Sequence, residues 1–261
     1  MLRKLIALFV LASLFICAAP AGAEDAPAAA DIVAAADRIR NPESPFRLSL
    51  SLVEYQSGRA HEPVALVVHS KMDAATHQYR NLVRYSAPAR DVGKLVLLNG
   101  GSMWFYDPAS KASVRISAQQ RLIGQASNGD VLTVNLAQDY KARLLGAESI
   151  QDAEHQPRET WHLDLKAAKP EAAYSRLETW IEKGTMRTVK SKFYSESGRA
   201  LKIAYYRRYE AALGAMRPME TIIIDALDAH LLTKVTASDY RAEAVQDAWF
   251  QREYLARFSE P

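Results

Sequence analysis

The chain has 261 residues, 49% hydrophobic and 24% charged, which excludes a disordered polypeptide and allows a sizeable core. It carries 33 Lys and Arg against 30 Asp and Glu, a net charge of +3. No basic run with interleaved aromatics occurs, so the sequence gives no support for nucleic acid as a partner.

The first 23 residues read as an address. Arg3 and Lys4 form a charged start, Leu5 to Ala19 an apolar run, and Ala21-Gly22-Ala23 a small-residue cleavage site. The apolar run is too short for a favoured membrane span. Cys17, the one cysteine, lies inside it and follows Ile16, where a lipobox needs a small residue, so lipidation is not expected. Cleavage after Ala23 removes two basic residues and leaves about 238 residues, with 31 basic against 30 acidic and a net charge of +1. That mature chain has no cysteine, hence no disulfide framework. With no Gly/Ser linker and no internal repeat, one domain is expected over 24–261.

Along the mature chain, Ile32, Val33, Ala36 and Ile39 recur at helical spacing, predicting a helix over Ala29–Arg40 that Asn41-Pro42 ends. Strand signals follow. Phe46, Leu48, Leu50 and Leu52 alternate with polar residues, and Gln56-Ser57-Gly58 turns the chain. Val64–His69, Gln78–Tyr85, Leu95–Leu98, Met103–Tyr106 and Ala112–Ile116 come next. The stretch Ser117–Gln138 is long, polar and broken by Gly124 and Asn128-Gly129, the pattern of a functional or mobile excursion. Strands resume at Lys141–Leu145, Glu159–Leu165, Tyr174–Ile181, Val189–Tyr194, Ala200–Tyr206, Pro218–Asp225 and Leu231–Ser238. The tail from Glu243 to Arg257 reads as a short helix or an irregular cover. The fold class is mainly β, an antiparallel sheet of roughly ten or eleven strands, without the spacing of βαβ units.

The hairpin around Asn99-Gly100 is apolar on both faces. Leu95 and Leu97 point one way and Val96 and Leu98 the other; Met103 and Phe105 oppose Trp104 and Tyr106. Both faces must be covered, or one must hold something other than protein.

RYSAP at Arg84–Pro88, the Asn99-Gly100 turn, WFYDP at Trp104–Pro108, RIS at Arg115–Ser117 and the Gly-rich acidic segment Gly124–Leu132 resemble the outer-membrane lipoprotein-sorting proteins and periplasmic lipoprotein carriers (the LolA/LolB-like superfamily). The likeness continues weakly to about Leu255. GQASNGDVL departs from the family in lacking aromatic residues before its acidic position. The resemblance implies a curved half-barrel lidded by the N-terminal helix and the Ser117–Gln138 segment. It implies a periplasmic carrier that binds lipidated protein or other hydrophobic cargo and passes it toward the outer membrane. Candidate cavity residues are Leu48, Leu50, Leu66, Val68, Leu95, Leu97, Trp104 and Tyr106. Candidate lid residues are Ile32, Ala36, Ile39, Leu122, Ile123 and Val131. The sequence leaves open which strand face is concave, since a one-residue shift exchanges the faces. Arg84 and Arg115 are either surface arginines or donors that hold the lid by its carbonyls. Partners are acyl chains of lipoproteins or lipids, an inner-membrane transporter or export pump, and transient membrane contact, for a monomer. The alternative is a periplasmic sensor or adaptor that binds an inner-membrane or export-pump protein.

Enzyme chemistry is not expected. G-x-S-x-G, S-x-x-K, phosphate-binding glycine loops and H-E-x-x-H are missing. His61, His69 and His77 are evenly spaced but fall on different strands and loops, as do His155 and His162, so no metal or other cofactor is expected. Glu178 and Glu182 share a strand face beside Arg176 and Lys183, the pattern of a solvated, salt-bridged surface.

Overall fold

The structure, a computed structural model, describes residues 26–259. The expected leader and its cleavage site lie outside the described residues. Helix α1 spans Ala29–Arg40 and turns Ile32, Val33 and Ala36 inward. Asn41 ends it with extended backbone while its N–H returns to the Asp37 carbonyl, and Pro42 cannot continue the ladder.

Strands β1 (Phe46–Gln56), β2 (Arg59–Ala60), β3 (Val64–Met72), β4 (Tyr79–Ala87), β5 (Leu95–Asn99), β6 (Ser102–Asp107) and β7 (Ala112–Ile116) follow. The segment 117–139 holds a small hairpin, β8 (Arg121–Ile123) and β9 (Ala126–Ser127), a 3-10 turn at Asn128–Val131, and one helical turn, α2 (Leu136–Asp139). A second run comprises β10 (Tyr140–Gln151), β11 (Pro157–Ala167), β12 (Arg176–Glu182), β13 (Thr188–Tyr194), β14 (Ala200–Ala212), β15 (Ala215–Asp225) and β16 (Leu231–Ala242). Two 3-10 turns, Asp247–Phe250 and Arg252–Arg257, follow.

Fourteen of these strands form one antiparallel sheet in the order β10-β11-β12-β13-β14-β15-β16-β1-β3-β4-β5-β6-β7, with β2 added to β1. The sheet is open, with β10 and β7 at its edges. It has more strands than the ten or eleven expected: each of the thirteen runs read from the sequence forms a strand, and the two-residue β2 adds a fourteenth. At the β5–β6 turn Gly100 and Gly101 adopt φ of 56° and 79°, the two positive values that a two-residue hairpin needs. The β14–β15 hairpin runs longer than the sequence suggested. It reverses at Leu213 and Gly214, both at positive φ, and leucine there gives no turn signal.

Both sheet faces carry an apolar cluster, and each cluster has its own cover. On the concave side a large core joins α1 to Phe46, Leu48, Val68, Val96, Leu163, Leu177 and Ile223. On the convex side Leu82, Leu95, Leu97 and Tyr106 pack under Val245, Trp249, Phe250 and Leu255 of the C-terminal turns. Polar contacts pin this tail: His69 Nδ1 lies 2.6 Å from Glu243, Lys71 and Arg80 donate to Asp247 at 2.9 and 2.8 Å, and Asn99 donates to the Phe250 carbonyl at 2.9 Å. The tail is thus an irregular cover, one of the two forms its sequence allowed.

Candidate ligand cavity

A cavity of about 780 Å³ lies between the concave face, the end of α1 and the 117–139 segment. Small-molecule sites commonly span roughly 300–1,000 Å³. Leu48 and Leu50 of β1 line it, with Leu98 and Met103 from β5 and β6, and Leu177 and Phe193 from β12 and β13. From the roof come Val131, Leu132 and Leu136. Alternation puts these side chains inside: Leu48 and Leu50 oppose Val68 and Leu66 in register, and Met103 opposes Leu98.

The wall also carries tyrosines. Tyr79 donates to the Pro42 carbonyl at 2.7 Å, and the Tyr140 hydroxyl accepts the Tyr174 N–H at 3.1 Å. Burial pushes the Tyr79 and Tyr140 phenols up to about 12, and the Tyr174 phenol well above its ordinary value. These phenols stay neutral at physiological pH, and the charged groups of the lining, Arg40 and Asp130 among them, belong to the polar clusters that fix the roof or to the rim.

Two polar clusters fix the roof. In the first, Lys202 of β14 is buried beneath the segment and pairs with Asp130. Its ammonium also donates to Ser127 Oγ and the Gln125 carbonyl, both at 3.2 Å, and lies 5.0 Å from the Tyr174 ring. Asp130 accepts further bonds from the Tyr174 hydroxyl at 2.9 Å and from the Ser127 N–H at 2.7 Å. In the second, Arg40 donates to the Val134 carbonyl at 2.7 Å and bridges to Asp37 at 2.7 Å. Asn41 reaches the same carbonyl at 2.8 Å, and Asp37 accepts the Ala137 N–H at 2.9 Å. Burial raises the Asp37 pKa despite Arg40 and these amides. Arg217 ties the helix to the sheet by donating to the Ile39 carbonyl at 2.9 Å. Asn81 of β4 closes the far side, donating to the Thr133 carbonyl at 2.8 Å and accepting its N–H at 3.0 Å.

Against this geometry, the cavity candidates divide. Leu48 and Leu50 line the cavity. Leu66 and Val68 share their face but lie within the packed core. Leu95, Leu97, Trp104 and Tyr106, expected in the cavity, instead belong to the convex face, under the tail, and do not line it. The hairpin gave two equally apolar faces, and the tail that covers one of them is distant in sequence. Among the lid candidates, Ile32 and Ala36 are buried in the concave core, Leu122 and Ile123 pack against it, and Val131 lines the cavity. Ile39 is half-buried, and its carbonyl carries the bond to Arg217.

Of the two readings open for Arg84 and Arg115, the structure does not support the lid donor. Arg84 opposes Leu95 and sits beside Leu255 and Phe258, on the face away from the roof. Arg115 is an exposed residue of edge strand β7, opposite Trp104, at the cavity rim. Carbonyls of the roof and helix are instead held by Arg40, Asn41 and Arg217. Sequence reasoning missed Lys202, Tyr174 and Asp130. Glu178 and Glu182 do lie in a salt-bridged face, bound to Arg176 and Arg158.

An open antiparallel half-barrel, roofed by an N-terminal helix and by the segment that links its two edge strands, defines the structural class. A family described as "uncharacterized protein" matches residues 77–257. No curated protein matches the chain. Among solved structures, a LolA-superfamily protein from Nitrosomonas europaea is 30% identical over 88% of this chain and 100% of its own, with a TM-score of 0.78. An outer-membrane lipoprotein-sorting protein domain from Vibrio parahaemolyticus, 16% identical over 88% of this chain and 98% of its own, shares the fold at a TM-score of 0.73. So does a DUF1329 family protein from Desulfovibrio piger, 21% identical over 87% and 98%, with a TM-score of 0.73. The chain belongs to the LolA superfamily. Among the described residues, no helix is long and apolar enough to cross a membrane.

Proposed function

We propose that this protein is a periplasmic carrier that holds the acyl part of a lipidated protein, or another hydrophobic cargo, in the roofed cavity and passes it toward the outer membrane. The cavity itself carries this reading: about 780 Å³, with leucines, methionine and neutral tyrosines along its sheet wall and charged groups beside them, under a segment attached at a few polar points. Exposing an acyl chain to water costs roughly 0.8 kcal/mol per CH₂, so about 14 methylenes cost on the order of 11 kcal/mol. A carrier hides that surface yet must release it. Here cargo would replace contacts that Val131, Leu132 and Leu136 make in the closed state, so net affinity stays below the gross burial.

The test is native mass spectrometry with lipid extraction on residues 24–261, purified from periplasm without detergent. The expected result is a stoichiometric acyl-bearing species that Leu50→Arg abolishes while the circular dichroism of the fold is retained. A protein that arrives empty and takes up neither lipid nor a fluorescent fatty acid refutes the carrier reading.

A further inference from the structure

The C-terminal segment covers the convex face at β3–β6. Further along the sheet the same face is bare, and its composition is unusual. Register places Tyr205, Ile222 and Lys234 in one row across β14–β16, and Ile203, Ile224 and Leu232 in the next. All six are half-exposed. The inward positions of β14 are Lys202 and Ala204, so this strand shows its isoleucine to solvent and its buried lysine to the lid.

Three ammonium groups stand on this surface. Lys234 Nζ lies 5.9 Å from the Tyr55 ring, Lys190 Nζ 4.8 Å from Trp180 and 5.6 Å from Tyr205, and Lys192 Nζ 5.4 Å from Tyr194. None of the three forms an ion pair among the described residues. Of the nearby carboxylates, Glu178, opposite Lys192 in register, is held by Arg176 and Glu220 by Arg207, while Glu148 accepts the Trp180 indole N–H at 2.8 Å. The surface therefore combines partly exposed aliphatic area, aromatic rings and three lysines that make no ion pair among the described residues. Because the lysines come from two separated strand regions, no basic run marks them in the sequence.

We propose that this face docks the protein on a bilayer surface rich in anionic phospholipid headgroups. Lysine arms lying along rings, with the charge at the outer end, span the boundary between apolar and charged layers. None of these residues lines the cavity, and their lysines are spread over two separate strand regions, so the block suits a fluid array of phosphates better than one acidic peptide. The inference goes beyond the carrier reading, since the cavity lies on the opposite side of the sheet and is not needed for docking.

Each lysine near an anionic bilayer strengthens binding by about fivefold, so the three together supply roughly a hundredfold. The experiment is co-sedimentation of residues 24–261 with phosphatidylglycerol/phosphatidylcholine vesicles and with pure phosphatidylcholine vesicles, at low and high salt. The proposal expects binding to the anionic vesicles alone, weakened by salt, and lost in the triple variant Lys190→Glu, Lys192→Glu, Lys234→Glu. The triple Lys→Gln variant, which avoids charge reversal should the first misfold, is expected to bind roughly a hundredfold more weakly. Leu50→Arg serves as control and is expected to sediment like the parent, so loss of cargo and loss of docking are read separately. No binding to anionic vesicles at low salt overturns the proposal. So does undiminished binding by a folded Lys→Gln variant, and so does binding seen only with vesicles that carry membrane proteins.

Discussion

Replacing Lys202 with methionine tests how the roof is held. The ammonium is buried and has three oxygen neighbours, of which Asp130 alone is charged. Methionine fills similar space and removes the cation, leaving Asp130 as a buried carboxylate with only neutral donors. Breaking a buried pair on one side costs about 3–5 kcal/mol. Asp130 keeps the Tyr174 hydroxyl at 2.9 Å and the Ser127 N–H at 2.7 Å, so the lower end applies. About 3 kcal/mol corresponds to a factor of roughly 150 in the local opening equilibrium. Hydrogen exchange read by mass spectrometry should then show amides of 117–139 exchanging about a hundredfold faster, with β11 and β12 little changed. Adding Asp130→Asn removes the stranded charge, and the double variant should recover part of the loss, since a coupled pair is not additive. Unchanged exchange in the single variant, or strict additivity in the double, refutes the latch.

Other changes separate the two faces and the two roof attachments. Leu97→Ala opens a void under the tail; it should cost about 2–5 kcal/mol of stability and speed proteolysis beyond residue 243, while fatty-acid uptake stays intact. Gly124→Ala places a Cβ 2.4 Å from Thr233 Oγ1 at a φ of +52°, so exchange in 117–139 should rise although no charge is touched. At Asp164 burial raises the carboxyl pKa, but bonds from Arg176 and Arg143 outweigh it and leave it below 3.8. The ion therefore stabilises the fold above the unfolded value of 3.8, and this contribution is lost as pH falls through the lower folded value. Melting temperatures measured from pH 5 downward should fall more steeply for the parent than for Asp164→Asn; parallel curves would falsify that assignment.

Much of this fold was legible because its periods are clean. Helix α1 has the bounds its spacing gives, and strand β1 alternates buried and open as Phe46, Leu48, Leu50 and Leu52 require. The choice of concave face was not legible. In β5 and β6 both faces are apolar, and the deciding partners, Trp249 and Phe250, come from the tail. The latch was hidden for a different reason. Alternation in β14 sets Leu201, Ile203 and Tyr205 against Lys202, Ala204 and Tyr206, and hydropathy alone assigns the first set to the core. The fold does the reverse at Lys202, because Asp130, 72 residues away, waits on the concave side. A lysine sharing a face with alanine and tyrosine was the available signal.

The strand order has a consequence for how the chain folds. β1 to β7 form one meander and β10 to β16 another, each built from neighbours that meet soon after synthesis. The seam between them is the pairing of β1 with β16, from Phe46 opposite Ala242 to Gln56 opposite Leu231. It is among the most distant pairings in the molecule and lies inside the sheet rather than at its rim. Until the last strand arrives, β1 presents an unpaired backbone edge of eleven residues. Assembly should therefore be slow at this step, and the half-made molecule should be most prone there to wrong pairing, with itself or with another copy.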